Sequence, residues 1–184
     1  MRFLLGRPPE RGTRPAIFLD RDGVINERVI NGYVTTWDQF RFIDGIDKAV
    51  AALAGLGLPI IVISNQACIS KGLLSESRLE GITRRFVAVL ESAGGRVDAV
   101  YYCPHKPDDL CGCRKPKPGL LEQASQDWRI DLSQSVLVGD SSSDLEAAAA
   151  VGCRAILFDP AREQASGIEA RVSSLLQEIS SSAR

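Results

Sequence analysis

Asp20 and Asp22 stand two residues apart at the end of a short apolar run, in Phe18-Leu19-Asp20-Arg21-Asp22-Gly23. On an extended chain residues i and i+2 point to the same side, so both carboxylates face one space. Close carboxylates repel, and one of them normally takes up a proton. A divalent cation removes that conflict, and Asp140, at the end of another apolar run, offers a further hard oxygen. A few carboxylates completed by water and a substrate phosphate form the usual magnesium arrangement. With a phosphate held there, Asp20 is placed to attack phosphorus and form an aspartyl-phosphate. Asp22 is then the group to protonate the leaving oxygen and later to take a proton from water. The transferred group is anionic, so Ser64 with its hydroxyl and Lys115 with its point charge are the expected donors. Gly23 permits tight backbone packing beside the acids. Asp144 reads equally as a helix cap, an orienter of the site or a direct metal ligand. Taken singly these are ordinary turn, cap and surface residues. What sets them apart is that they follow successive apolar runs of one chain.

A second cluster lies in Cys103-x-His105-x5-Cys111-x-Cys113. Three sulfurs and one imidazole make a complete tetrahedral zinc set with no position left for a catalytic water, which reads as structural zinc. The ion is expected to pin a loop rich in proline (Pro104, Pro107, Pro116, Pro118) and to position Arg114 and Lys115, which follow at once. The competing reading is a cluster of reduced thiols beside a surface histidine. Five cysteines, an odd number, in a chain whose start lacks an export signal argue against a disulfide framework. Cys153 reads as a small core residue and Cys68 as pocket wall.

The elements that must position these groups are short, continuous apolar runs: Ala16 to Leu19, Ile60 to Ile63, Ala99 to Tyr102, Val136 to Val138 and Ala155 to Phe158. Continuous rather than alternating runs are expected of parallel strands covered on both faces. Helical patterns fall between them. Ile46, Val50, Leu53 and Leu56 share a face ahead of Gly57. Ser75 is a good N-cap for a helix with Leu79, Ile82, Phe86, Val89 and Leu90 inward. Pro118 can open a third helix, Asp144 to Val151 makes a fourth, and Ile168, Val172, Leu175 and Ile179 mark a fifth. Alternating strand and helix predict a doubly wound α/β fold with a parallel sheet, in which ligands bind at the carboxyl ends of the strands. The stretches between the site residues leave no room for a large inserted cap domain, so loops such as 26–45 and the Cys/His segment are expected to select the substrate.

One domain over residues 15–179 is expected, with flexible tails at 1–14 and 180–184. A net charge of -1 gives no reason to expect nucleic acid or a membrane surface as partner. No apolar run approaches the roughly 18 residues of a membrane span. A cytoplasmic location and a monomer are the defaults.

The chain resembles the haloacid-dehalogenase (HAD) superfamily of phosphatases, whose four motifs occur in order. They are Phe18 to Asn26, Ile63-Ser64-Asn65-Gln66, Lys115 in Cys113-Arg114-Lys115-Pro116, and Val138-Gly139-Asp140-Ser141-Ser142-Ser143-Asp144. Gly32-Tyr33-Val34, Phe42-Ile43-Asp44-Gly45, Asn65-Gln66 and Tyr101-Tyr102-Cys103-Pro104-His105 are similar to the subfamily of heptose bisphosphate and histidinol-phosphate phosphatases. The resemblance implies Asp20 as nucleophile and Asp22 as general acid and base. It places Asp20, the Asp22 carbonyl and Asp140 around magnesium, and Ser64 and Lys115 on the phosphoryl group. It also implies Arg114 in contact with substrate, and Asn31, Gly32, Tyr33, Asn65, Gln66 and Ser141 as pocket lining. The implied reaction removes the C7 phosphate of D-glycero-D-manno-heptose 1,7-bisphosphate, with histidinol phosphate or another small phosphorylated metabolite as the alternative substrate. Ala67-Cys68-Ile69-Ser70-Lys71-Gly72 stands where heptose enzymes read Ser-Gly-Ile-Ala-Arg-Gly, and the tract from Asn26 to Asn31 is longer than in some relatives. A non-catalytic phosphate- or zinc-binding module is a further reading; the intact Asp20, Asp22, Ser64, Lys115 and Asp140 oppose it.

Overall fold

The computed structural model describes residues 1–10 and 12–182. Arg11 and residues 183 and 184, which fall in the two expected tails, lie outside the described residues. Six strands form one sheet: β1 (Arg2–Leu4), β2 (Ile17–Leu19), β3 (Ile60–Asn65), β4 (Ala99–Cys103), β5 (Val136–Gly139) and β6 (Arg154–Leu157), in the order β1-β4-β3-β2-β5-β6. The pairings from β4 through to β6 are all parallel. The helices are α1 (Ile46–Ala54), α2 (Glu76–Ser92), α3 (Gly119–Trp128), α4 (Ser142–Ala149) and α5 (Ile168–Ser182).

Successive strand residues point to opposite faces, and the core divides accordingly. Ile17, Leu19, Ile60 and Val62 pack with the apolar stripes of α1, α2 and α5. Phe18, Ile61, Ile63 and Leu137 pack with Leu120, Ala124 and Trp128 of α3 and with Ala147 and Ala148 of α4. Three helices on one face and two on the other make the doubly wound sandwich, and burial on both faces explains why the strands read as unbroken apolar runs. The Ser75 hydroxyl caps α2 by accepting from the Arg78 amide at 3.3 Å. One helix face is corrected. Val87 is buried and Val89 is 39% exposed, because the inward stripe runs Leu79, Ile82, Thr83, Phe86, Val87, Leu90 and Val89 stands off it.

The N-terminal segment also departs from expectation. Residues 2–4 are not a loose tail but an edge strand, antiparallel to β4 with Phe3 opposite Val100. The outer edge of β4 would otherwise leave its backbone groups unpaired. Phe3 meets Tyr102 edge to face at 5.8 Å, the terminal amine donates to the Tyr102 carbonyl at 3.0 Å, and Arg2 pairs with Asp127 at 2.6 Å. At the other end α5 runs to Ser182, past the expected limit of residue 179.

The order places β2 at the switch point, with β3 and β4 laid to one side and β5 and β6 to the other. Crevices form outside the carboxyl end of such a strand, where Asp20 and Asp22 lie.

Candidate active site

Asp20 leaves β2, Ser64 sits on β3, Asp140 follows β5, and Asp144 lies in the first turn of α4. Lys115 comes from the loop between β4 and α3. Its ammonium is buried 2.9 Å from an Asp20 oxygen and 2.5 Å from an Asp144 oxygen, and it donates to the Ile63 carbonyl at 3.1 Å. The loop is tied to β3 by a reciprocal pair. The Asn65 side-chain amide donates to the Lys115 carbonyl at 3.0 Å, and the Lys115 backbone N–H donates to the Asn65 side-chain carbonyl at 3.1 Å. Carboxylate oxygens of Asp20, Asp140 and Asp144 all lie within 4.8 Å of one another.

Two glycines make this convergence possible by close approach. Gly23 has φ +100°, and a Cβ there would fall 1.8 Å from an Asp140 oxygen; a Cβ at Gly139 would fall 2.3 Å from the Asp144 Cβ. Asp144 also closes the start of α4, accepting from the Ser141 hydroxyl at 2.6 Å and the Ser141 N–H at 3.2 Å. It is therefore the third-residue member of the α4 capping box, with Ser141 as N-cap, and a site residue at once.

The electrostatics are those of crowded acids. Burial pushes the Asp20 carboxyl up to about 7, aided by the charges of Asp144 and Asp22 and resisted by Lys115. Burial likewise raises Asp140, against the pull of Arg28. A hard dication fits this donor set, because it neutralises carboxylates that otherwise repel.

Asp22 sits differently. Arg21 is fully buried, with its guanidinium carbon 5.9 Å from the ring centres of both Phe40 and Tyr102. It donates to both Asp22 oxygens at 2.8 Å, and Asn26 and Gln66 add donors at 2.9 and 2.6 Å. Burial alone would raise Asp22, but the Arg21 charge and these hydrogen bonds outweigh it and hold the group below its ordinary value. The Asp22 side chain is thus not among the three acids that converge.

A cleft of about 550 Å³ opens over these groups. Asn31, Gly32, Tyr33, Asn65, Arg114 and Ser141 line it together with Asp20, Asp22, Ser64 and Lys115. Gln66, expected on its wall, is instead fully buried, with its amide spent on Asp22 and on the Ser64 hydroxyl at 3.0 Å. Arg28 and Lys71 line the cleft without having been singled out in the sequence. Arg28 falls in the 26–45 loop expected to select the substrate, and Lys71 in the tract that stands where heptose enzymes read Arg-Gly.

The four zinc-type residues also come together. Cys103 to Cys111, Cys103 to Cys113 and Cys111 to Cys113 are 3.7, 3.3 and 3.6 Å between sulfurs, and His105 Nδ1 is 3.3 Å from the Cys113 sulfur. Sulfurs about 2.3 Å from a tetrahedral zinc stand about 3.8 Å apart, so the set is close to the size of a zinc shell. All five cysteines are free thiols. Cys153 is buried on the sheet face that carries α3 and α4, and Cys68 is buried beside Gln66.

Acids gathered at the switch point of a doubly wound sheet, around a buried lysine, define a HAD-like phosphatase. The HAD-hydrolase-like family model matches residues 112–171. The D-glycero-β-D-manno-heptose-1,7-bisphosphate 7-phosphatase of Yersinia pestis is 41% identical over 143 residues, which are 74% of this chain and 75% of that protein. The protein of the same name from Pseudomonas aeruginosa is 42% identical over 145 residues, 79% of this chain and 81% of its own. The crystal structure of D,D-heptose 1,7-bisphosphate phosphatase from B. bronchiseptica, complexed with magnesium and phosphate, superposes with a TM-score of 0.80. It is 32% identical and covers 89% of this chain and 99% of its own. The chain belongs to the heptose-1,7-bisphosphate 7-phosphatase family of HAD-like hydrolases. Among the described residues no helix is long and apolar enough to cross a membrane.

Proposed function

We propose that the protein removes the C7 phosphate of D-glycero-D-manno-heptose 1,7-bisphosphate by way of an aspartyl-phosphate on Asp20. Identity of 41–42% with relatives named for that reaction carries the substrate assignment. The Lys115–Asp20–Asp144 cluster supports the chemistry. Asp20, the Asp22 carbonyl and Asp140 are the groups to hold magnesium, which when bound neutralises the acids and the transferred phosphoryl charge. An Asp20 oxygen forms a bond to phosphorus as the bond to the C7 oxygen breaks. Lys115 and Ser64 meet the charge on the transferred oxygens. Asp22 gives its proton to the C7 oxygen, then takes one from the water that attacks phosphorus and releases Asp20. In the resting site Asp22 is held ionised, the form suited to the second step; a phosphate dianion entering beside it favours the protonated form that the first step needs. Cys103, His105, Cys111 and Cys113 would hold a structural zinc that fixes the loop bearing Arg114 and Lys115. Of the residues expected to touch substrate, Gln66 is better read as a support for Asp22 and Ser64.

Steady-state turnover with magnesium, on heptose 1,7-bisphosphate and on histidinol phosphate, tests the assignment. A kcat/KM at least about 100-fold higher on the bisphosphate is expected; equal or better turnover of histidinol phosphate refutes it.

A further inference from the structure

Four cationic side chains line the cleft: Arg28, Lys71, Arg114 and Lys115. Three are engaged with groups outside the converging acids or are locked inside them. Lys115 is buried between Asp20 and Asp144. Arg114 donates to the His105 carbonyl at 3.2 Å. The Lys71 ammonium lies 5.1 Å over the Tyr33 ring. Arg28 is different. Its guanidinium bonds an Asp140 oxygen at 2.6 Å, yet its own side chain is 53% exposed. The backbone beneath it is anchored, because the Glu27 N–H donates to the Arg41 carbonyl at 2.7 Å and the Gly32 N–H to the Val29 carbonyl at 3.2 Å. A fixed stem with a half-solvated head can change partner without moving the loop.

The charges require such a change. Three converging carboxylates face two cations, Lys115 and Arg28. A dication arriving at Asp140 competes with the guanidinium for the same carboxylate and removes the need for it. The phosphate that follows brings negative charge back to the cleft, where a freed arginine offers a planar set of donors matched to phosphate oxygens. We propose that Arg28 is an exchangeable substrate-binding residue, held on Asp140 in the metal-free protein and transferred to substrate phosphate once magnesium takes that carboxylate. The inference rests on reading the acids as a magnesium site but not on which sugar is the substrate.

Calorimetric titration of the full chain and of Arg28→Gln tests it, with magnesium alone and then with inorganic phosphate added to the magnesium-loaded protein. The variant is expected to bind magnesium about two- to fivefold more tightly, the range set by loss of one half-exposed ion pair as competitor. It is expected to bind phosphate about tenfold more weakly, with Arg28→Lys between the two. Unchanged or weaker magnesium binding overturns the exchange, and unchanged phosphate binding overturns the substrate contact. Turnover of heptose bisphosphate by the unaltered protein reports separately on the substrate assignment.

Discussion

The acid cluster, at the ends of β2 and β5, and the thiol cluster, at the end of β4 with β3 between, are assembled in opposite ways. Asp20, Lys115 and the Asp140–Asp144 pair come from three widely separated stretches of chain, and each backbone is fixed by the sheet, by α4 or by the Asn65 clamp. Cys103, His105, Cys111 and Cys113 span eleven residues of one segment, and only Cys103 belongs to a strand. The remaining three are half-buried, on a loop held by one turn of 3-10 helix over Pro107–Asp109. The first cluster is organised by the fold before any ion binds. In the second, the proposed zinc would supply much of the loop's shape, as ions do in small metal-pinned loops.

The difference sets the sizes of the expected effects. A single methyl in the acid cluster has nowhere to go. Gly23→Ala would drive its Cβ into Asp140 and impose a left-handed φ on alanine. Its kcat/KM is expected to fall by at least about 100-fold, the usual consequence of displacing a reacting group by an ångström, while the circular dichroism of the fold is retained. A smaller loss is expected when the thiol cluster is broken. Cys103→Ser should lower zinc content in metal analysis, lower the melting temperature and reduce turnover by about 10- to 100-fold. The effect is indirect because the loop carries Lys115 without touching phosphorus through its thiols. Cys153→Ala, at the thiol buried away from the cluster, should leave zinc stoichiometry unchanged, turnover within about twofold and stability lower by about 1 kcal/mol. Equal zinc loss in both variants would show that the Cys103 set is not where zinc is held.

The thiol cluster was legible because its chemistry is local: four ligand types in one short run have few other uses. The acid cluster was legible by a different route, since residues following apolar strands in an alternating α/β pattern must meet at one edge. What remained hidden depends on contacts without a sequence period. No pattern in the sequence marks Arg21 as buried, yet Phe40 and Tyr102 enclose it and Asp22 neutralises it. Arg28 meets a partner 112 positions away. β1 is three residues long, too short for alternation to register, and forms because β4 offers a free edge. Gln66 sits in a substrate-type motif, and its orientation toward Asp22 is decided by the turn after β3 rather than by its identity.

In the proposed reaction Asp20 carries the phosphoryl group between the two halves. Rapid acid quench of the magnesium-loaded protein with labelled heptose 1,7-bisphosphate, followed by mass spectrometry of its peptides, reads this directly. The expected result is a transient phosphoryl adduct on Asp20, absent in Asp20→Asn, whose turnover is lost while the fold persists. Label on another residue, or undiminished turnover by Asp20→Asn, would contradict it.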